Sequence, residues 1–214
     1  MNEGEIRDVI SKTRFNGPDM PAGIPYAKLP APFDNIVAYR NIDARLSFMK
    51  RWWPTDAKVV LDLGCNAGHY CFSLEHEGLA TYAVGVDSDG EAIGVARMLA
   101  PFLSSKSSFW QEDVMLYEFS GVDVVLHLSL FQWIVQKYGI TTALEHLEYL
   151  SRKCRTMFFE TSGSDSKAPL PQADDYFWIE RVLKEAGWHP EVCARLPCET
   201  GTERFVFKCR SSNC

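Results

Sequence analysis

The stretch Leu61-Asp62-Leu63-Gly64-Cys65-Asn66-Ala67-Gly68-His69-Tyr70 decides how the rest of the chain is read. A short apolar run with β-branched residues, Lys58 to Leu63, breaks into a tight glycine-bearing turn, and a helical pattern resumes at His69. The same alternation recurs downstream. Tyr82–Asp87, Val122–Leu128 and Arg155–Glu160 read as further buried strands, with Ser108–Trp110 a weaker one. Helical patterns over 69–77, 90–100, 138–151 and 174–187 separate them. Near-continuous apolar strands alternating with helices predict a parallel sheet covered on both faces. The tail departs from this rule. Glu191–Leu196 and Arg204–Cys209 flank the short link Pro197–Thr202, and two strands so joined run antiparallel. The fold class is therefore α/β: a Rossmann-like, doubly wound, mostly parallel seven-stranded sheet with a C-terminal antiparallel hairpin and an N-terminal cap.

Upstream, residues 2–14 suit a short amphipathic helix, with Ile6, Val9 and Ile10 on one face. Residues 17–33 hold five of the chain's 11 prolines, which forbids regular structure and leaves a lid or a surface arm. Residues 34–53 read as a helix stopped by Pro54. We expect a cap over 1–53 and a ligand-binding domain over 54–214, together one structural domain. Hydrophobic residues at 46% and charged ones at 23% are globular values for 214 residues. A net charge of −6 disfavours a phosphate-backbone partner. No apolar run reaches a membrane span, and the acidic start Met1–Glu5 lacks the apolar stretch of a secretory signal. The seven cysteines include no Cys-x-x-Cys pair, so reduced thiols in a cytoplasmic protein are expected.

A strand, a glycine turn and a helix N-terminus make a ligand cradle. A dinucleotide site wants Gly-x-Gly-x-x-Gly. Here those positions are Gly64, Asn66 and His69, which disfavours a nicotinamide cofactor. The pattern Asp-x-Gly-x-x-x-Gly is met by Asp62, Gly64 and Gly68, and resembles the first motif of class I S-adenosylmethionine (SAM)-dependent methyltransferases. Asp87 ends the second strand, where a carboxylate can accept both ribose hydroxyls of an adenosine. Glu112-Asp113-Val114 resembles the family's segment after the third strand, and Asp123–Phe131 its fourth-strand motif.

From Tyr26 to Gly163 the chain is most similar to the methyltransferase domain of the bacterial O-antigen chain-terminating methyltransferase–kinases. The resemblance implies S-adenosyl-L-methionine as cofactor. Its contacts would fall on the turn (Gly64, Cys65, Asn66, Gly68), on Asp87 with Ser88, on Glu112, Asp113 and Val114, and on the backbone at Leu128. An upstream tyrosine and arginine of that group match Tyr26 and Arg45; a guanidinium suits the cofactor carboxylate. Two departures stand out. The histidines common after the fourth strand are replaced by Gln132 and Trp133, and the sequence has no counterpart of the kinase half, so methylation of a phosphorylated sugar is not carried over.

Methyl transfer needs alignment and, for a hydroxyl acceptor, a base. His127 and Glu160, near the carboxyl ends of the fourth and fifth strands, are the candidate catalytic residues. His69 is expected to pack or cap. Glu75-His76-Glu77 and Glu145-His146 are read as solvated helix faces, and no metal site is expected. Phe131, Trp133, Tyr176, Phe177 and Trp178 are candidates to wall an acceptor pocket. The expected function is methyl transfer to an oxygen of a small-molecule or saccharide acceptor. Two alternatives stay open: an RNA (tRNA base) methyltransferase, since the turn also resembles that of tRNA wobble-uridine enzymes, and a SAM-binding subunit without catalysis.

Overall fold

The computed structural model describes residues 1–15, 21–25, 27–38, 43–164, 167–197 and 202–213. In chain order these form α1 (Glu3–Lys12), α2 (Asp43–Arg51), β1 (Val59–Leu63), α3 (His69–His76), β2 (Tyr82–Asp87), α4 (Gly90–Phe102), β3 (Ser108–Gln111), β4 (Val124–Leu128), α5 (Phe131–Tyr138), α6 (Ile140–Lys153), β5 (Thr156–Glu160), a 3₁₀ turn Pro171–Asp174, α7 (Tyr176–Glu185), β6 (Trp188–Pro197) and β7 (Glu203–Ser211). The strands make a seven-stranded mixed sheet, mostly parallel, with an antiparallel pair at its C-terminal end, as expected. The chain clusters into two compact units: residues 1–43 with 58–117, and 44–57 with 118–214.

In the first unit β1, β2 and β3 run parallel, with β2 in the middle. Val60, Leu61, Ala83 and Val86 are fully buried in it. The inner face of α4 is lined by Ala92, Ala96 and Leu99, and its two alanines let the helix lie close to the sheet. The acidic side chain of Asp89 caps α4, accepting the N–H groups of Glu91 and Ala92. The N-terminal segment packs on this unit. A capping box between Asn2 and Glu5 starts α1, which buries Ile6 and Ile10. Phe15, Leu29 and Phe33 are buried as well, with Phe33 against Phe102 and the Arg7 guanidinium over its ring. The described part of the proline-rich segment is thus an arm anchored by aromatic side chains.

One boundary moves. The expected helix 34–53 is helical, among the described residues, only from Asp43. Phe33 N–H to Pro30 O and Ile36 N–H to Phe33 O close two successive turns instead, because Phe33 must turn inward to be buried.

In the second unit β4 and β5 are parallel, and β7 runs antiparallel to both β5 and β6. The β6–β7 register slips between Pro190 and Val192, where proline has no N–H to give. α6 buries Ala143, Leu147 and Leu150, spaced four and three apart. Trp188 is buried and donates its indole N–H to Leu147 O at 2.9 Å. Helix α5 was not expected, since Asp123–Phe131 reads as one fourth-strand motif. On the other side of β5, Phe158 lies between Trp53, stacked at 5.6 Å, and Phe48, edge-on at 6.2 Å. These contacts tie α2 and the segment after it to the second unit. Phe158→Ala should therefore lower the stability of this unit by about 3–5 kcal/mol, the usual cost of emptying a buried aromatic site, read as a lower urea midpoint at unchanged slope; a loss below about 1 kcal/mol would mean that the aromatic sandwich is not what holds α2.

Candidate active site

The glycine turn is built by backbone rather than by side chains. Gly64 and Cys65 both donate their N–H to Val86 O, at 2.8 and 3.1 Å, which pins the end of β1 to the end of β2. Gly64 (φ 76°), Asn66 (φ 49°) and Gly68 (φ 81°) all take left-handed backbone. The space a Cβ on Gly68 would fill is taken by the Phe109 ring, 2.5 Å away, and by Phe72. Glycine at 68 is thus required by close ring packing, and not only by the approach of a ligand. Cys65 is buried with its Sγ against Gly85. α3 then starts at His69 without a capping side chain.

Asp87 closes the cradle. Its Oδ2 accepts the Asn66 N–H at 2.7 Å and its Oδ1 the Asp89 N–H at 2.9 Å. A carboxylate has about four acceptor sites, so capacity remains for other donors. Burial pushes the Asp87 pKa up, while the N–H groups of Asp89 and Asn66 pull it back. Asp62 lies deeper. Burial, and then repulsion from Asp87, raise it to about 7, with only the Cys71 thiol acting the other way. Ser88 is exposed. Glu112 is exposed and donates its N–H to Asp87 O; the Asp113 carboxylate accepts the Met115 N–H at 3.0 Å and shapes the following turn, with Val114 half-buried inside it. His69 stitches the arm to the turn by a short Nδ1 contact with Lys28 O. Tyr26 lies outside the described residues.

The second unit holds a separate polar centre. Glu160, fully buried at the end of β5, pairs with Arg45 Nε through Oε2. Its Oε1 accepts from Arg45 Nη2 at 3.1 Å, Arg204 Nη1 at 3.2 Å and the Ser129 hydroxyl at 2.9 Å. Burial pushes this carboxyl up, but Arg45, Arg204 and Ser129 outweigh it and hold the group below its ordinary value. Glu160 is therefore an ionised clamp for two guanidiniums. Arg45, expected to meet a cofactor carboxylate, holds the Glu160 carboxylate here. Ser129 adopts φ 55°, an uncommon conformation supported by its own N–H bond to Glu160 O. Leu128, just before it, is half-buried.

His127 points into the core. It is fully buried, stacked on Phe159 at 5.4 Å, with His146 at 5.7 Å, and neither ring nitrogen has a hydrogen-bond partner among the described residues. Burial, and then His146, lower its pKa to about 3. His146 itself is buried, not on a solvated face as expected. Gln132 is also buried. Its amide donates to Ser129 O and accepts from the Thr161 hydroxyl and the Ser162 N–H. Phe131 is sealed in the core while Trp133 remains 46% exposed.

No family model matches the chain, and no curated protein does. Solved structures do match. The bifunctional kinase-methyltransferase WbdD aligns over 97% of this chain with a TM-score of 0.73 at 20% identity. Magnesium protoporphyrin IX methyltransferase (ChlM) from Synechocystis PCC 6803, solved with bound SAM, aligns over 79% of this chain and 78% of its own at 0.62 and 16% identity. A SAM-dependent methyltransferase from Clostridium acetobutylicum ATCC 824 aligns over 79% and 89% at 0.62 and 11% identity. The fold is that of SAM-dependent methyltransferases. The chain spans under half of WbdD, 46% of its length.

The sequence carries no local signal for Arg204, Ser129 and Gln132 as members of a polar centre; Arg204 sits in a tail strand whose pairing with β5 has no local signature. His127 carries a consequence for stability. Its folded value lies below the ordinary 6.5, so the unfolded chain binds the proton first. Stability from this group is present above pH 6.5 and falls as pH drops toward 3, by about 1.4 kcal/mol for each pH step crossed. Asp62, raised, works in the opposite direction. Comparing urea midpoints of wild type and His127→Phe from pH 7 to 4 isolates the histidine: the variant should lose less stability on acidification, and parallel curves would show that His127 is already paired or hydrated.

Proposed function

We propose that the chain is a SAM-dependent methyltransferase acting on an oxygen of a small-molecule or saccharide acceptor. The observation that carries this reading is the Asp87 carboxylate, tied to the glycine turn by the Asn66 N–H with acceptor capacity to spare. Its fit to an adenosine is chemical: two vicinal ribose hydroxyls are donors, and Asp87 is a preorganised acceptor. On this reading Gly64, Cys65, Asn66 and Gly68 hold the methionine half, and Ser88, Glu112, Asp113 and Val114 border the adenine. SAM supplies a methyl group on a sulfonium, with its own leaving group.

The chain's part is then binding and alignment. His127 is sealed among rings and Glu160 is locked as an ion, so we give neither the role of base. Glu160 instead fixes Arg45 and Arg204. The absence of an accessible base at these two positions also favours a second reading, a SAM-binding subunit without turnover. An RNA acceptor has no such support, given the net charge of −6.

Calorimetric titration with SAM and with its demethylated product should give saturable binding. Asp87→Ala should weaken it by about a hundredfold, the loss of two hydrogen bonds to a charged group. No binding by the wild-type chain would overturn both readings. Binding without transfer of radiolabelled methyl to a metabolite or glycan pool would select the second.

A further inference from the structure

We infer that the face of β3 carrying Trp110, together with Tyr82, Leu116 and Tyr117 and with Lys106 and Glu112 at its two ends, pairs with the same face of a second copy of this chain about a two-fold axis. The pairing needs neither cofactor nor acceptor and stands apart from the proposed function.

One face of β3 is left to solvent. The strand is outermost in the sheet and bonds only to β2, in parallel. Successive strand residues face opposite sides. Phe109 is buried against Phe72 and fills the space beside Gly68 and Gly85, so Ser108 and Trp110 face the other way. Trp110 is 50% exposed there. Ser108 lies opposite Val84, two residues along β2 from Tyr82. The Tyr82 hydroxyl meets Ser108 Oγ at 2.6 Å, which lays the exposed phenol along the same face.

The turn after β3 extends the patch. The Asp113 carboxylate accepts the Met115 N–H at 3.0 Å, and Asp113 O accepts the Leu116 N–H at 2.9 Å. This closed turn holds Leu116 71% exposed. Burial, and then Tyr82 and Glu112, raise the Tyr117 hydroxyl pKa, so these three side chains are neighbours. Apolar surface gathered at a sheet edge marks an interaction site. Arg97 Nε donates to Phe109 O at 2.9 Å, which blunts the strand against open-ended ladder growth. The contact is therefore made by side chains.

The charges select the occupant. Lys106 and Glu112 are both exposed, and among the described residues neither side chain has an ion-pair partner. They lie six residues apart, about 20 Å along an extended chain. A two-fold axis at the level of Phe109 reverses the strand, so Lys106 of each copy meets Glu112 of the other. Two opposite-charge pairs then flank the joined aromatic patches. A parallel alignment would set like charges together. The face is thus complementary to itself in one sense only, as a closed two-fold interface requires. A polyanion or an anionic lipid surface would meet Glu112 and Asp113 at one end and be repelled.

Sedimentation velocity on the full chain tests this. The wild type should pass from monomer to dimer with a dissociation constant of about 10 µM, fitting a small, transient interface. Trp110→Ser, at an exposed position, and Lys106→Glu should each weaken the dimer about tenfold or more. Adding Glu112→Lys to Lys106→Glu reverses both ends and should restore it. Far-UV circular dichroism melts identify any variant that fails to fold, and the charge pair then decides alone. A wild-type monomer at about 200 µM, a dimer that ignores Trp110→Ser and Lys106→Glu, or a double variant that stays as weak as Lys106→Glu overturns the proposal. So does a monomer that sediments with phosphatidylglycerol vesicles through Trp110, which would assign the face to lipid.

Discussion

The contact on which the shape of the glycine turn depends is the one between the Asp87 carboxylate and the Asn66 N–H. It joins the end of β2 to the bend after β1 and fixes both the shape of that bend and the direction of the carboxylate. Asn66 is not glycine, yet its backbone is left-handed; asparagine tolerates this better than most residues, and the hydrogen bond to a charged acceptor offsets what remains. Phe109 and Phe72 fill the other side, leaving the chain one route from strand to helix. The bend is rigid because its two sides are occupied by different things, a carboxylate and a pair of rings. An acid held this way loses little freedom when it accepts further hydrogen bonds, which is what preorganisation means for binding.

The two units treat buried charge differently. Burial, and then repulsion from Asp87, move the Asp62 carboxyl up to about 7. Glu160 is equally buried but sits between Arg45 and Arg204 and stays ionised. A buried carboxylate with two guanidiniums is costly to desolvate and costly to break. It persists because it ties three distant pieces of chain, α2, β5 and β7, into one strand end. That placement turns a residue expected to move a proton into one that holds others still.

The parts legible in the sequence were those with local causes. Val60 to Leu63 and Met157 to Glu160 are buried at successive positions, hence on both faces, and continuous apolar runs said so. The bend was visible because Gly64 and Gly68 have few substitutes, and the hairpin because the link Pro197–Thr202 is too short for a parallel crossover. The illegible parts had distant causes. His127 lies between Leu126 and Leu128 in a strand buried on both sides, so no polarity pattern told which way its ring would face. Helix α5 was lost because Asp123–Phe131 reads as one strand motif. The convergence of Arg45, Glu160 and Arg204 spans the whole second unit and left no spacing to find.

Gln132 shows how far the replacement of a titratable residue reaches. An amide donates and accepts at once and never changes charge. Here it takes the Ser129 carbonyl on one side and the Thr161 hydroxyl and Ser162 N–H on the other, so the ends of β4 and β5 are bridged by a neutral group. A histidine offers one donor and one acceptor nitrogen and would gain a charge near pH 6.5, close to the Arg45–Arg204 pair. The glutamine keeps that region's charge constant across the physiological range. The strand ends of the second unit are therefore built for fixed geometry and fixed charge.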